Sequence, residues 1–249
     1  MSGDFRRVTE LNEAGELPDG GARADTQVGR QMRGRILEAA EAVFAERGFD
    51  GATTAAIARA AGLPKANLHY YFGTKEALYR AVLADILDLW LAGADGIRPD
   101  ADPAAALEAY IREKVYWSRN RPNASRVFAG EVQGGARRIG DYLSGHLRDW
   151  VEGKAAVLEG WMAAGRMARV DARHLIFSIW SLTQHYADFA PQVTAVLGRE
   201  RLDGPEFERI ARHVTALVLA GCGLRPPGIA GAIPGDAKAM FPNKGENAG

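Results

Sequence analysis

TTAAIARAAGLPKANLHYYFGTKEAL, residues 53 to 78, is the stretch on which the fold turns. Thr53 or Thr54 stands where a hydroxyl accepts one of the N–H groups that a helix start leaves unpaired. Ile57, Ala58 and Ala61 then form a small apolar face that a second helix can cross closely. Gly62 supplies the turn, Leu63 fills the angle, and Pro64 opens the second helix at a position that can lack its N–H. Leu68, Tyr71 and Phe72 fall on the inner side of that helix, leaving Lys65, Ala66, Asn67, His69 and Tyr70 to a partner. Thr74 caps a third, longer helix.

Two short helices meeting at a glycine are also ordinary α-helical packing, so the outward residues carry the functional weight. In a helix-turn-helix the first residues of the second helix approach base edges, while flanking groups hold phosphates and fix register. Asn67 suits a base edge; Lys65 and Tyr70 suit the backbone, with Thr54 and His69 beside them. The helix start at Thr74 and Lys75 offers free N–H groups and a cation to another phosphate.

The full string resembles the TetR family of bacterial repressors. The matching residues are the Thr53 cap, Ile57-Ala58, Ala61-Gly62, the aromatic run Tyr70-Tyr71-Phe72, and Lys75-Glu76-Ala77-Leu78. The resemblance implies a transcription regulator in which a DNA-binding head is carried by a helical effector domain. Pro64 departs from the family, where a Ser cap is commoner.

Outward from this motif, the helical period of three to four continues and no strand-like alternation competes with it, so the class is all-α. Residues 29–75 read as a three-helix DNA-binding domain, whose first helix buries Ile36, Leu37, Ala40, Val43 and Phe44 and stops at Gly48. Residues 76–224 read as a larger helical domain for effector binding and dimerisation. Its helices are expected at 74–92, 103–119, 123–133, 137–165, 171–189 and 203–220, with a break at Pro191. Residues 1–28 read as a flexible arm and 225–249 as a Pro/Gly-rich tail.

Composition sets the outer bounds. With 47% apolar and 25% charged residues, the chain has the balance of a globular protein. Its formal net charge is zero, which argues against binding nucleic acid over the whole surface. From Arg30 to Lys75, however, seven basic residues face four acidic ones. The single cysteine, Cys222, excludes an internal disulfide and any metal site built on several thiolates. No signal peptide or membrane span is read, which fits a cytoplasmic protein.

The stretch HLIFSIWSLTQHYADFAPQV, 174–193, carries the effector chemistry. Phe177, Trp180, Gln184 and Asp188 follow one helical stripe. An aromatic surface with an amide beside it suits a planar ring with alternating C=O and N–H groups, of which a pyrimidine is one. The alternative is that Trp180 is core and Gln184 pairs with a neighbouring helix or across a dimer. The strings YIREK (110–114), ASR-x-F (124–128), HLIF (174–177) and TQHYADFAPQV (183–193) resemble the pyrimidine-utilisation branch of the same family. That resemblance implies uracil or thymine as effector and a pocket on Trp90, Trp180 and Gln184, with Phe128 and Glu131 nearby. The segment FAGEVQGGARRIGDYL departs from the branch.

An operator with two half-sites requires a homodimer. The helices at 171–189 and 203–220 are expected to build it, through Ile210, Val214, Leu217 and Val218; the alternative is that this seam is intrachain core. A helical enzyme is the reading from another class. His174 and His185 lie eleven residues apart, about 16 Å along a helix, too far to share a metal. No nucleophile pairs with a base, so no catalytic residues, metal or cofactor are assigned. A drug-type sensor on the same DNA head remains the alternative effector reading.

Overall fold

The computed structural model describes residues 27–225. The expectations for the arm at 1–28 and the tail at 225–249 fall outside them, save that helix has already begun at Gln27. Every regular element among the described residues is helical.

α1 (Gln27–Gly51) turns Ile36, Leu37, Ala40, Val43 and Phe44 inward and bends at Gly48, whose φ of 67° interrupts the helical path. α2 (Thr54–Ala61) is capped by Thr53, whose Oγ1 accepts from the Ala56 N–H at 3.1 Å. It ends at Gly62 in the left-handed region (φ 65°, ψ 36°), and Leu63 N–H closes the turn onto the Ala58 carbonyl at 2.9 Å. α3 (Lys65–Phe72) follows directly. Pro64 stands one position earlier than the sequence reading put it: it is the cap itself, and only its carbonyl contributes, accepting from Asn67 N–H. α4 (Lys75–Ala92) starts at Thr74, whose Oγ1 accepts from Ala77 N–H at 3.0 Å.

Asp102 caps α5 (Pro103–Asn120), and α6 (Pro122–Gln133) runs on from Arg121. The expected helix at 137–165 begins at Gly140 with one α turn and a π-helical stretch, Leu143–Leu147, before α7 (Arg148–Ala163). α8 (Ala172–Asp188) is capped by Asp171. Pro191 does break α8, but it also sits in the first turn of a further short helix, α9 (Ala190–Val196), where its missing N–H is harmless. Asp203 caps α10 (Gly204–Gly221). No described helix is long and apolar enough to cross a membrane.

Two apolar cores result. One joins α1–α4 with Ala124 and Val127 of α6 and with Ile139; the other joins α5, α7, α8 and α10. α6 packs on α1 and α4 on one side and on α8 on the other, so it is shared between them. The proposed dimer seam needs correction here: Ile210, Val214 and Val218 are buried within the chain, because α10 packs against α5, and only Leu217 remains exposed.

Candidate nucleic-acid interface and effector cavity

On the DNA-facing side, α3 is held by Leu68 in the head core, which leaves Lys65, His69 and Tyr70 exposed and Asn67 half-buried. His69 Nδ1 lies 2.8 Å from the Gly73 carbonyl. A carbonyl can only accept, so Nδ1 carries the proton in this contact and ties the exposed ring to the end of α3. Tyr70 packs edge-on against Tyr71 at 5.1 Å. Thr54 is half-buried in the first turn of α2; the capping hydroxyl is that of Thr53.

Lys75 departs from its expected role as a free cation. Its Nζ donates to the Phe49 and Ala52 carbonyls at 2.8 and 3.0 Å and lies 4.4 Å from the Phe49 ring centre. It ties α4 to the end of α1, so what it offers DNA is the position of a helix start rather than its ammonium. Arg35 is engaged likewise, donating to the Ala61 carbonyl at 3.0 Å.

The second site is a partly open cavity of about 320 Å³, counting its mouth, where the two cores meet. Trp90 and Phe128 reach it from the head side, packed edge to face at 5.2 Å. From the other core come Trp180, Gln184 and Tyr110; the Trp180 Nε1–H donates to the Tyr110 hydroxyl at 2.7 Å, which fixes the indole's rotation. Leu87, Leu91, Lys114 and Leu147 complete the wall, the last from the π-helical stretch. Burial pushes the Tyr110 phenol up, so it stays protonated.

Four of the six expected effector residues therefore share one cavity. Phe177 and Glu131 do not. Phe177 is exposed, its ring 5.6 Å from that of Trp180 on the outer side of α8. Glu131 is buried elsewhere, accepting from the Arg138 N–H at 2.7 Å and from the Arg138 guanidinium. It also bonds to Tyr79, whose phenol is pushed up to about 12, first by burial and then by that carboxylate. Arg138 in turn lies 3.6 Å over the Phe49 ring, so of the departing segment Phe128 lines the cavity while Glu131 and Arg138 dock on the head.

Tyr110 and Lys114 were missed, although a signal existed. They are four residues apart on the apolar stripe of α5 with Leu107, Ile111 and Val115, and a lysine on such a stripe calls for an explanation. Among the described residues no group of three or more His, Cys, Asp or Glu side chains could hold a metal ion.

The arrangement of a compact helix-turn-helix below a helical cavity agrees with comparison to known proteins. Residues 36–82 match the profile of bacterial regulatory proteins of the tetR family, and 83–225 match the YcdC-like protein C-terminal region. The chain belongs to the TetR family. Over 191 residues it is 46% identical to the HTH-type transcriptional regulator RutR of Escherichia coli K12, covering 77% of this chain and 89% of that one. Among solved structures, the TetR regulator PfmR of Thermus thermophilus superposes with a TM-score of 0.59 at 25% identity, covering 75% of this chain and 97% of its own. The ketosteroid regulator KstR2 of Mycobacterium tuberculosis, at 23% identity and a TM-score of 0.60, covers 76% and 94% and shares the fold. As a TetR protein the chain is a DNA-binding transcriptional regulator, and α2–α3 form its helix-turn-helix.

Proposed function

We propose that this protein is a dimeric, pyrimidine-responsive repressor that leaves its operator when uracil or thymine enters the cavity. The observation that carries the reading is the placement of Trp90, Phe128, Trp180 and Gln184 around one small cavity at the junction of the two cores. Two indoles and a phenyl ring give a planar ring apolar surface, and Gln184 supplies a donor and an acceptor for its edge. Part of the 320 Å³ is open solvent at the mouth, so the enclosed room is much smaller, which favours a single ring over a bulky drug-like molecule.

α4 runs from the head to the cavity, and Thr74 and Trp90 are separated by about 24 Å of helix. A ring seated on Trp90 shifts this element against α6 and changes the separation of the two reading heads. A coupling of about 1–3 kcal/mol is enough for a switch. Lys65, Asn67, His69 and Tyr70 contact DNA, with the starts of α2 and α4 at Thr54 and Lys75 against flanking phosphates. The dimer forms on the outer faces of α8 and α10, where Phe177, Ser178 and Ser181 lie exposed beside Ala216, Leu217 and Ala220.

The test is a tryptophan-fluorescence titration with uracil, thymine and unrelated rings, paired with binding to double-stranded DNA selected by the protein from a random pool. Saturable quenching and DNA release by uracil or thymine alone support the reading. DNA binding with no response to either leaves a TetR regulator with another effector.

A further inference from the structure

The cavity contains one charged side chain, Lys114, and a ring stacked between indoles has no need of it. Lys114 is 4% exposed on the inward stripe of α5, and its Nζ rests 4.3 Å from the centre of the Trp90 ring. Among the described residues no carboxylate lies within ion-pair distance of it. The carboxylate that acts on it is Asp188 of α8, which is off the cavity wall and accepts from the Ser125 hydroxyl of α6 at 2.5 Å. Tyr110, one turn earlier on α5, is already bonded to the Trp180 indole. Trp90, Leu87 and Leu91 of α4 and Phe128 of α6 offer it no charge.

We propose that Lys114 is a specificity determinant that selects effector rings carrying a negative charge, so that the cavity takes the ionised, N-deprotonated form of an acidic pyrimidine-like ring. The proposal rests on the pyrimidine reading of the cavity and ranks its ligands: uracil and thymine, neutral near pH 7, bind more weakly than rings whose N–H is more acidic. A buried ammonium on a π face has exchanged its hydration for a weak partner, and an anionic oxygen or nitrogen in the cavity replaces that hydration with a charge-assisted bond. The protonation balance points the same way. Burial lowers Lys114 to about 7, with Asp188 opposing the shift. Asp188 is itself raised, first by burial, while Ser125, Lys114, His185 and Arg126 pull it down. An arriving anion therefore draws a proton onto Lys114, and binding takes up protons from solution near neutral pH.

Calorimetric titration of the full chain with uracil, 5-fluorouracil and 5-nitrouracil tests this, because the ring is the same and its N–H grows more acidic in that order. At pH 7.5 the Kd should fall along the series by about tenfold or more, and the most acidic ring should bind with net proton uptake when buffers of different ionisation enthalpy are compared. Lys114→Met, which keeps an unbranched chain of similar length, should flatten the series. Equal affinity for all three rings, or the same preference in Lys114→Met, overturns the proposal and leaves the pyrimidine reading standing. Benzoate serves as an anionic ring that is not a pyrimidine. If it binds in a Lys114-dependent way while no pyrimidine binds, anion selection holds and the pyrimidine reading falls. If none of the four binds, both fall.

Discussion

Arg121, at the junction of α5 and α6, donates from one guanidinium nitrogen both to Glu41 of α1 and to Asp85 of α4, the latter at 3.1 Å. Glu41 is a buried carboxylate of the DNA-binding head, and burial raises its pKa while Arg121 pulls it down. The clasp thus joins the start of the helix that also carries Phe128 to α1 of the head and to α4, which links head and cavity.

Replacing Arg121 by Met should destabilise the fold by about 2 kcal/mol, because Glu41 keeps its desolvation and loses its partner. The sign with pH follows. A carboxyl whose folded pKa is raised binds more protons folded than unfolded, so stability falls as pH rises from the unfolded value through the folded one. Without Arg121 the Glu41 pKa rises further, so the deficit should be smallest in acid and full above that higher value. Denaturant unfolding of both proteins across pH 4.5 to 8 reads this out. Since Arg121 is not on the cavity wall, effector Kd should stay unchanged while the effector's influence on operator affinity weakens.

Lys65 and Lys75 are both lysines of the recognition unit, yet the structure separates their roles. Lys65 is exposed, and Lys65→Ala should lower the slope of log K against log salt by about two, one for each head of the dimer, while leaving stability within about 0.5 kcal/mol. Lys75→Met removes two bonds from a charged donor to the Phe49 and Ala52 carbonyls and should cost about 1–3 kcal/mol. Operator titrations between 50 and 200 mM salt, with thermal melts of the free proteins, distinguish the pair.

Leu217 is the residue of the expected dimer seam left on the outer face of α10. Leu217→Glu should therefore yield a folded monomer with a far lower operator affinity, whereas a polar residue at Val214 would disrupt the chain's own core. Sedimentation of Leu217→Glu shows which: a dimer unchanged in mass and DNA affinity would move the interface off this face.

The helix-turn-helix was legible because its determinants are local: a Thr cap, a glycine with positive φ and a leucine plug act within a dozen residues. The cavity was half legible. On an ideal helix Phe177, Trp180, Gln184 and Asp188 span only about 80°, with Phe177 between Gln184 and Asp188, so the stripe alone does not tell which of its positions a neighbouring helix covers. Trp180 and Gln184 reach the cavity, Phe177 turns outward, and Asp188 turns to Ser125. Tyr110, Lys114 and Leu147 come from other elements, and which stripes face one another is decided by tertiary packing. Glu131 went wrong for the same reason, since Arg138 and Tyr79, which hold it, come from outside its own helix.

Trp180 and Tyr110 provide a way to separate a stacking surface from its orientation. Trp180→Ala removes the surface, so operator binding should persist while release by uracil or thymine is lost; release at an unchanged effector concentration would remove Trp180 from the site. Tyr110→Phe keeps every ring but takes away the oxygen that accepts the Trp180 indole N–H. An indole N–H left unpaired costs about 1 kcal/mol or somewhat more, and it frees the ring to rotate. Effector affinity should then fall about tenfold, because a rotating indole must be ordered again on binding, while fluorescence quenching at saturation persists. A variant that keeps wild-type affinity would show that the Tyr110 hydroxyl serves stability alone.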